Sequence, residues 1–155
     1  MLNIHAIAVI GATGFAVLAC ILLHYETLNY LTGALVRLHI RVRRRRILLL
    51  MFGLLTLHVA EIWIFGAGYF LMASASELSS VVGSQNNLLD MVYFSAVVYS
   101  TLGLGDLLPT GAIRFMAGTE ALTGFLLISW SASFTFLEMQ RFWGRDGAKN
   151  YRTES

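Results

Sequence analysis

The chain has 155 residues, of which 57% are hydrophobic and 13% charged, with a formal net charge of +2 and a mean hydropathy of +0.68. A soluble domain carries about 25% charged residues, so the composition argues against a soluble enzyme or soluble binding module and for a membrane protein. The charge is also unevenly spread: Met1 to Tyr25 has no Asp, Glu, Lys or Arg, and there is no Lys or Arg between Ile47 and Ile113.

The first apolar span runs from about Ile4 to His24. Cys20 is the only cysteine, so no intrachain disulfide can form. It follows Val17-Leu18-Ala19, but no basic residue precedes it as a secretory leader requires, so the segment reads as a retained helix. Leu28, Leu31, Leu35 and Leu38 recur at near-helical spacing beside Arg37 and Arg41, which predicts an interfacial amphipathic helix. Arg41, Arg43, Arg44, Arg45 and Arg46 then stand between two apolar spans. That position predicts a cytoplasmic positive-inside anchor against anionic lipid headgroups, not a nucleic-acid-binding arm.

The second span runs from about Ile47 to Ala73. Ser74–Asn87 is polar and is expected to be an exposed loop. Leu88–Ser100 is apolar but too short to cross a bilayer, and a glycine-rich stretch and Pro109 follow it. A short helix of this kind suits a re-entrant element. Non-helical backbone at membrane depth is tolerated only inside protein or beside a water-filled cavity, so the pattern itself argues for a pore. The third span runs from about Ala112 to Leu137. The basic residues of the tail, Arg141, Arg145, Lys149 and Arg152, belong with the arginine run in the cytoplasm. The N-terminus is then outside, as is Ser74–Thr110. The tail after Glu138 is expected to be too short for a ligand-binding domain.

Tyr93-Phe94-Ser95-Ala96-Val97-Val98-Tyr99-Ser100-Thr101-Leu102-Gly103-Leu104-Gly105-Asp106, with Pro109, Arg114 and Gly124 after it, resembles the pore helix and selectivity filter of the tetrameric potassium channels, where Thr-Val-Gly-Tyr-Gly-Asp is usual. The resemblance covers about residues 47–138 and leaves the first span outside the two-helix pore. It implies an all-α membrane protein of three transmembrane helices, a re-entrant pore helix and a filter loop, assembled as a homotetramer. It also implies K+ ions held by the Thr101 hydroxyl and by the carbonyls of Thr101, Leu102, Gly103 and Leu104, with Gly105 and Asp106 at the filter mouth. Alternating glycines permit the backbone angles such a filter needs.

Three positions depart from the pattern. Leu104 stands where tyrosine is usual and Phe94 where tryptophan is common, so neither side chain offers a hydrogen bond to brace the filter. Val97 stands where some relatives carry a glutamate facing the filter aspartate, so Asp106 lacks that partner. On the third span, Gly124 is either a gating hinge or a close-packing site. The resemblance makes Gly124, Phe125, Ile128, Ala132, Ser133 and Phe136 the cavity face, with Phe136 a candidate constriction.

His58, Glu61 and Glu120 are ionisable residues within apolar spans, where such groups are functional candidates by default. One reading has Glu61 or Glu120 hydrogen-bonding behind the filter. The other makes His58 a proton sensor, since histidine changes charge near neutral pH. His58-x-x-Glu61 lacks the second histidine of a zinc motif, and no second ligand cluster or hydrolase constellation is apparent. No organic cofactor is expected. The contiguous arginines lack the every-third spacing of a voltage sensor.

The sequence thus divides into residues 1–46 (first helix, interfacial helix and arginine linker), 47–138 (pore domain) and 139–155 (tail). The leading reading is a passive potassium channel, not an enzyme, in the plasma or cell inner membrane. The alternatives are a non-selective monovalent cation channel and a non-conducting membrane interaction protein.

Overall fold

In lipid every backbone polar group must find its partner within the chain, which leaves an isolated apolar run one option, the helix. The computed structural model, which describes residues 4–37, 43–75, 80–85 and 87–150, contains helices α1 (Ile4–Arg37), α2 (Arg43–Ala75), α3 (Leu88–Tyr99) and α4 (Ile113–Asn150). Among the described residues, Ile4–Ala34, Arg45–Ala75 and Ile113–Arg141 are long and apolar enough to cross a membrane. At 1.5 Å per residue, α1, α2 and α4 each run about 50 Å or more, beyond the roughly 30 Å hydrocarbon core. Five of their threonines satisfy the hydroxyl within the helix: Thr13, Thr32, Thr56, Thr119 and Thr123 each donate to the carbonyl four residues earlier.

Both α1 and α3 pack against the α2–α4 pair. The larger core gathers Val9, Ala16 and Cys20 of α1 with Phe65 and Tyr69 of α2, Met91 and Phe94 of α3, and Met116 and Leu127 of α4. A second cluster joins Leu28 of α1 to Leu50, Leu54 and Leu57 of α2.

Two local readings change. The expected interfacial helix is no separate element: α1 continues unbroken to Arg37, and Leu28 and Leu31 pack on α2. Leucines at spacings of three and four serve either role, and the apolar partner on α2 decides it. Leu38 and Arg41 lie outside the described residues, while Arg43–Arg46 form the first turn of α2. Within the segment expected to be an exposed loop, residues 80–85 have order of their own. Strand β1 (Val81–Val82) pairs antiparallel with β2 (Leu108–Pro109), Val81 opposite Pro109. Ser80 and Thr110 extend this ribbon: the Thr110 amide donates to the Ser80 carbonyl at 2.9 Å and its hydroxyl donates to the same oxygen at 2.8 Å. The ribbon ties the chain ahead of α3 to the chain ahead of α4.

Candidate functional site

The start of α3 is fixed by its cap. Asn87 is extended and its side chain accepts from the Asp90 amide at 2.8 Å, while Asp90 accepts from the Gln85 amide at 2.7 Å. An N-cap satisfies an orphan helix donor, and the Asp90 carboxylate complements the positive end of the helix dipole. At the other end, the Thr101 amide donates to the Val98 carbonyl at 2.9 Å and the Leu102 amide to the Val97 carbonyl at 3.0 Å. The segment from Thr101 therefore hangs directly from the carboxyl end of α3.

Its backbone alternates. Thr101, Gly103 and Gly105 have φ of 56°, 58° and 80°, and Thr101 is the one non-glycine residue with positive φ among those described. A β-branched residue there is a genuine outlier, and such positions cost about 1–3 kcal/mol and cluster at functional sites. Residues 101 to 106 are all exposed on the single chain, Leu102 at 64% and Leu104 at 58%. Asp106 has a partner other than position 97. The Tyr93 hydroxyl donates to Asp106 Oδ2 at 2.8 Å, and this bond to the carboxylate raises the Tyr93 phenol above its ordinary pKa. Tyr93 lies one helical turn before Val97, on the same face of α3.

Helix α4 supports the end of α3. A Cβ on Gly124 would lie 2.2 Å from the Tyr99 carbonyl oxygen, so α4 approaches the last turn of α3 as closely as only glycine permits. Ile128, Ala132 and Phe136 face outward on the single chain. With His58, Ser131, Met51 and Leu54 they line an open crevice of about 440 Å³ between α2 and α4.

Two buried carboxylates hold the helices together. Glu61 of α2 accepts at Oε1 from His24 Nδ1 of α1 at 2.8 Å. At Oε2 it accepts from His58 Nδ1 at 2.9 Å and from the Tyr99 hydroxyl of α3 at 2.5 Å. His24 also meets the Ser131 hydroxyl of α4 at 3.4 Å through Nε2 and stacks near Trp130, ring centres 5.1 Å apart. Glu120 of α4 is bonded separately: Tyr69 of α2 donates to Oε2, and Ser95 of α3 donates to Oε1 at 2.5 Å. Each carboxylate thus joins three helices, and buried polar groups of this kind are affordable only when fully partnered.

Of the residues singled out in the sequence, His58 and Glu61 do meet, Glu120 stands in its own cluster, and Ile128, Ala132 and Phe136 share the crevice with His58. His24, Tyr69 and Ser131 were not anticipated, and Tyr93, Ser95 and Tyr99 stood in the pore-helix motif with no hydrogen-bonding role assigned. His24 carried a signal: a histidine in an uncharged apolar span needs a partner.

A family model described as an ion channel matches residues 47–141. No curated protein and no solved structure matches the chain significantly. The matched region holds α2 from Ile47 onward, α3, the Thr101–Asp106 segment and the membrane-spanning part of α4, while α1 lies outside it. Such a family implies assembly of more than one chain. The match covers more than half of this multi-pass membrane protein, and the chain belongs to the ion channel family.

Proposed function

We propose that the chain is one subunit of a homotetrameric potassium channel that conducts K+ passively through four copies of Thr101-Leu102-Gly103-Leu104-Gly105-Asp106. The alternation of positive φ at Thr101, Gly103 and Gly105 carries this reading. In an extended strand successive carbonyls point to opposite sides, whereas alternating left- and right-handed residues turn like groups toward one side. Such a row from four chains replaces the hydration shell of K+. The Thr101 hydroxyl and the carbonyls of Thr101 to Leu104 are the proposed ligands, and Gly105 and Asp106 the mouth.

Two further observations support it. The carboxyl end of α3 carries the negative pole of its dipole and lies beside the middle of α4, where a cation entering a central cavity gains from it. The segment from Leu102 to Gly105 is exposed on one chain, as a shared axis requires. In this reading Gly124 is a close-packing site, Ile128, Ala132 and Phe136 face the inner vestibule, and Phe136 narrows it. Arg43–Arg46 oppose the dipole at the start of α2, an arrangement that anionic cytoplasmic headgroups offset at about 1 kcal/mol per arginine. The N-terminus is then outside and the tail cytoplasmic, in the plasma or cell inner membrane.

A non-selective monovalent cation pore is the second reading, favoured by Leu104, which has no hydrogen-bonding atom to fix the wall. Reconstitution into vesicles with opposed K+ and Na+ gradients decides. A reversal potential near that of K+ is expected. Equal permeability selects the second reading, and no flux of either ion with folded protein leaves only a non-conducting interaction role.

A further inference from the structure

His24, His58 and Glu61 form the one group of potential metal ligands among the described residues. One ligand atom from each, a ring nitrogen or a carboxylate oxygen, lies within 4.8 Å of the others. The chemistry is two imidazoles and one carboxylate, a donor set that suits Zn2+ and similar divalent transition ions. We propose that these three side chains bind such an ion, with water as the fourth ligand, and that the ion clamps α1 onto the pore region. The inference goes beyond ion conduction and does not depend on which ion the pore passes.

The geometry needs little change. Zinc bonds of about 2.0–2.1 Å in a tetrahedron place ligand atoms about 3.3 Å apart. His24 Nδ1 stands 2.8 Å from Glu61 Oε1 and His58 Nδ1 2.9 Å from Oε2, so an ion held by both rings and one of these oxygens widens the spacing at that oxygen by about half an ångström on that standard. The two histidines approach Glu61 from different helices, His24 from α1 and His58 from α2.

The hydrogens also balance. Both Nδ1 atoms now face Glu61, so the tautomer that suits the empty cluster carries its hydrogen on Nδ1. An ion at Nδ1 takes the ring's lone pair, and the hydrogen moves to Nε2, with no net proton lost from either neutral ring. At His24, Nε2 faces the Ser131 hydroxyl at 3.4 Å. Ser131 then accepts where it previously donated, which is the outer hydrogen bond a ligating histidine requires. Tyr99 supplies the matching outer contact by donating to Glu61 Oε2 at 2.5 Å.

Entry and charge are accounted for as well. His58 is 18% exposed, whereas His24 and Glu61 are fully enclosed. His58 and Ser131 both line the open crevice between α2 and α4, so an ion and its water arrive from that side. Glu61 offsets one positive charge. Zinc lowers the pKa of its bound water to about 7, and the resulting hydroxide offsets the other.

The test uses the full chain, purified in detergent and stripped with a chelator, then titrated with Co2+ as a spectroscopic stand-in and with Zn2+ by calorimetry. One Co2+ per chain with the intense visible absorption of a tetrahedral site is expected, displaced by Zn2+. His24→Gln and His58→Gln should each weaken binding at least tenfold. Ser131→Ala should weaken it about tenfold, as loss of an outer contact does. The paired His5→Gln, His39→Gln variant should bind as the parent does. Lack of saturable binding, or an octahedral spectrum, overturns the proposal. So does binding that follows His5 and His39 and ignores His24 and His58. Should His24→Gln fail to fold, His58→Gln decides alone, because His58 stands at the crevice wall.

Discussion

His24 Nδ1 and Glu61 Oε1 lie 2.8 Å apart with both side chains fully buried, and this contact joins α1, outside the matched ion channel region, to α2 inside it. Through the Tyr99 hydroxyl the same carboxylate reaches the last turn of α3. The added helix is therefore fastened to the chain just ahead of Thr101. Glu61→Ala takes the acceptor from His24 Nδ1 and leaves His58 Nδ1 and the Tyr99 hydroxyl, 3.0 Å apart, with only each other. Since a buried unsatisfied group costs about 1–3 kcal/mol, a loss of that size is expected, read as a lower thermal midpoint in detergent. An unchanged midpoint shows that α1 is held by apolar packing alone.

Glu120 behaves differently from Glu61. Ser95 has one hydroxyl hydrogen and two acceptors, the Ile62 carbonyl at 2.8 Å and Glu120 Oε1 at 2.5 Å. With an amide at position 120, its NH2 would donate to Ser95, the Ser95 hydrogen would go to the Ile62 carbonyl, and its oxygen would accept from Tyr69. An amide can do both, so Glu120→Gln should stay within about 1 kcal/mol of the parent, the net worth of one hydrogen bond. Glu120→Ala leaves a cavity and strands the Tyr69 hydroxyl, while Ser95 keeps the Ile62 carbonyl, and should lose about 2–5 kcal/mol. Denaturant or thermal melts of the two variants, side by side, check the contrast.

The hinge and packing readings of Gly124 part company in one substitution. With a Cβ 2.2 Å from the Tyr99 carbonyl oxygen, Gly124→Ala forces the backbone of α4 or α3 to move. Overpacking of that kind costs about 1–3 kcal/mol, so the thermal midpoint should fall even where no current is measured. A pure hinge predicts an unchanged midpoint and altered opening.

What the sequence made legible is local. The order of short helix, glycine-alternating segment and long helix follows from chemistry within a few residues, and so does each apolar span. Tertiary partners were not legible. Leu28 and Leu31 have the same spacing whether they face headgroups or Leu54, and only the fold chooses. His58 and Glu61 share a helix face by spacing alone, but His24 joins them from 37 positions before Glu61. Asp106 was expected to lack its partner at Val97, and the bond instead comes from Tyr93, one turn earlier.

That bond makes Tyr93→Phe informative. The variant removes one hydroxyl from an exposed side chain and frees the Asp106 carboxylate. The expected result is higher Na+ permeability relative to K+, with helix content unchanged. The pH dependence has a definite sign. A tyrosine raised above its usual value of about 10 keeps its hydrogen through the neutral range and loses it only as pH rises through the higher value. The brace should hold at neutral pH and weaken only in alkali beyond about pH 10, and Tyr93→Phe should abolish that alkaline change. Bi-ionic reversal potentials across a pH series measure it.

Leu104 and Phe94 were paired in the sequence as two missing braces, and the structure separates them. Phe94 is buried against Tyr69, ring centres 4.9 Å apart and edge to face, in the core shared by all four helices. A larger indole there overfills a packed site, so Phe94→Trp should destabilise by about 1–3 kcal/mol before it can brace anything. Leu104 is open on the single chain, and its neighbours in an assembly come from other residues or other chains. Leu104→Tyr alone should therefore fold and raise K+ preference over Na+. The double variant should do worse than Leu104→Tyr in both stability and yield. Permeability ratios and thermal midpoints for the three variants test this, and a double variant that outperforms Leu104→Tyr would show that Phe94 yields more readily than its packing implies.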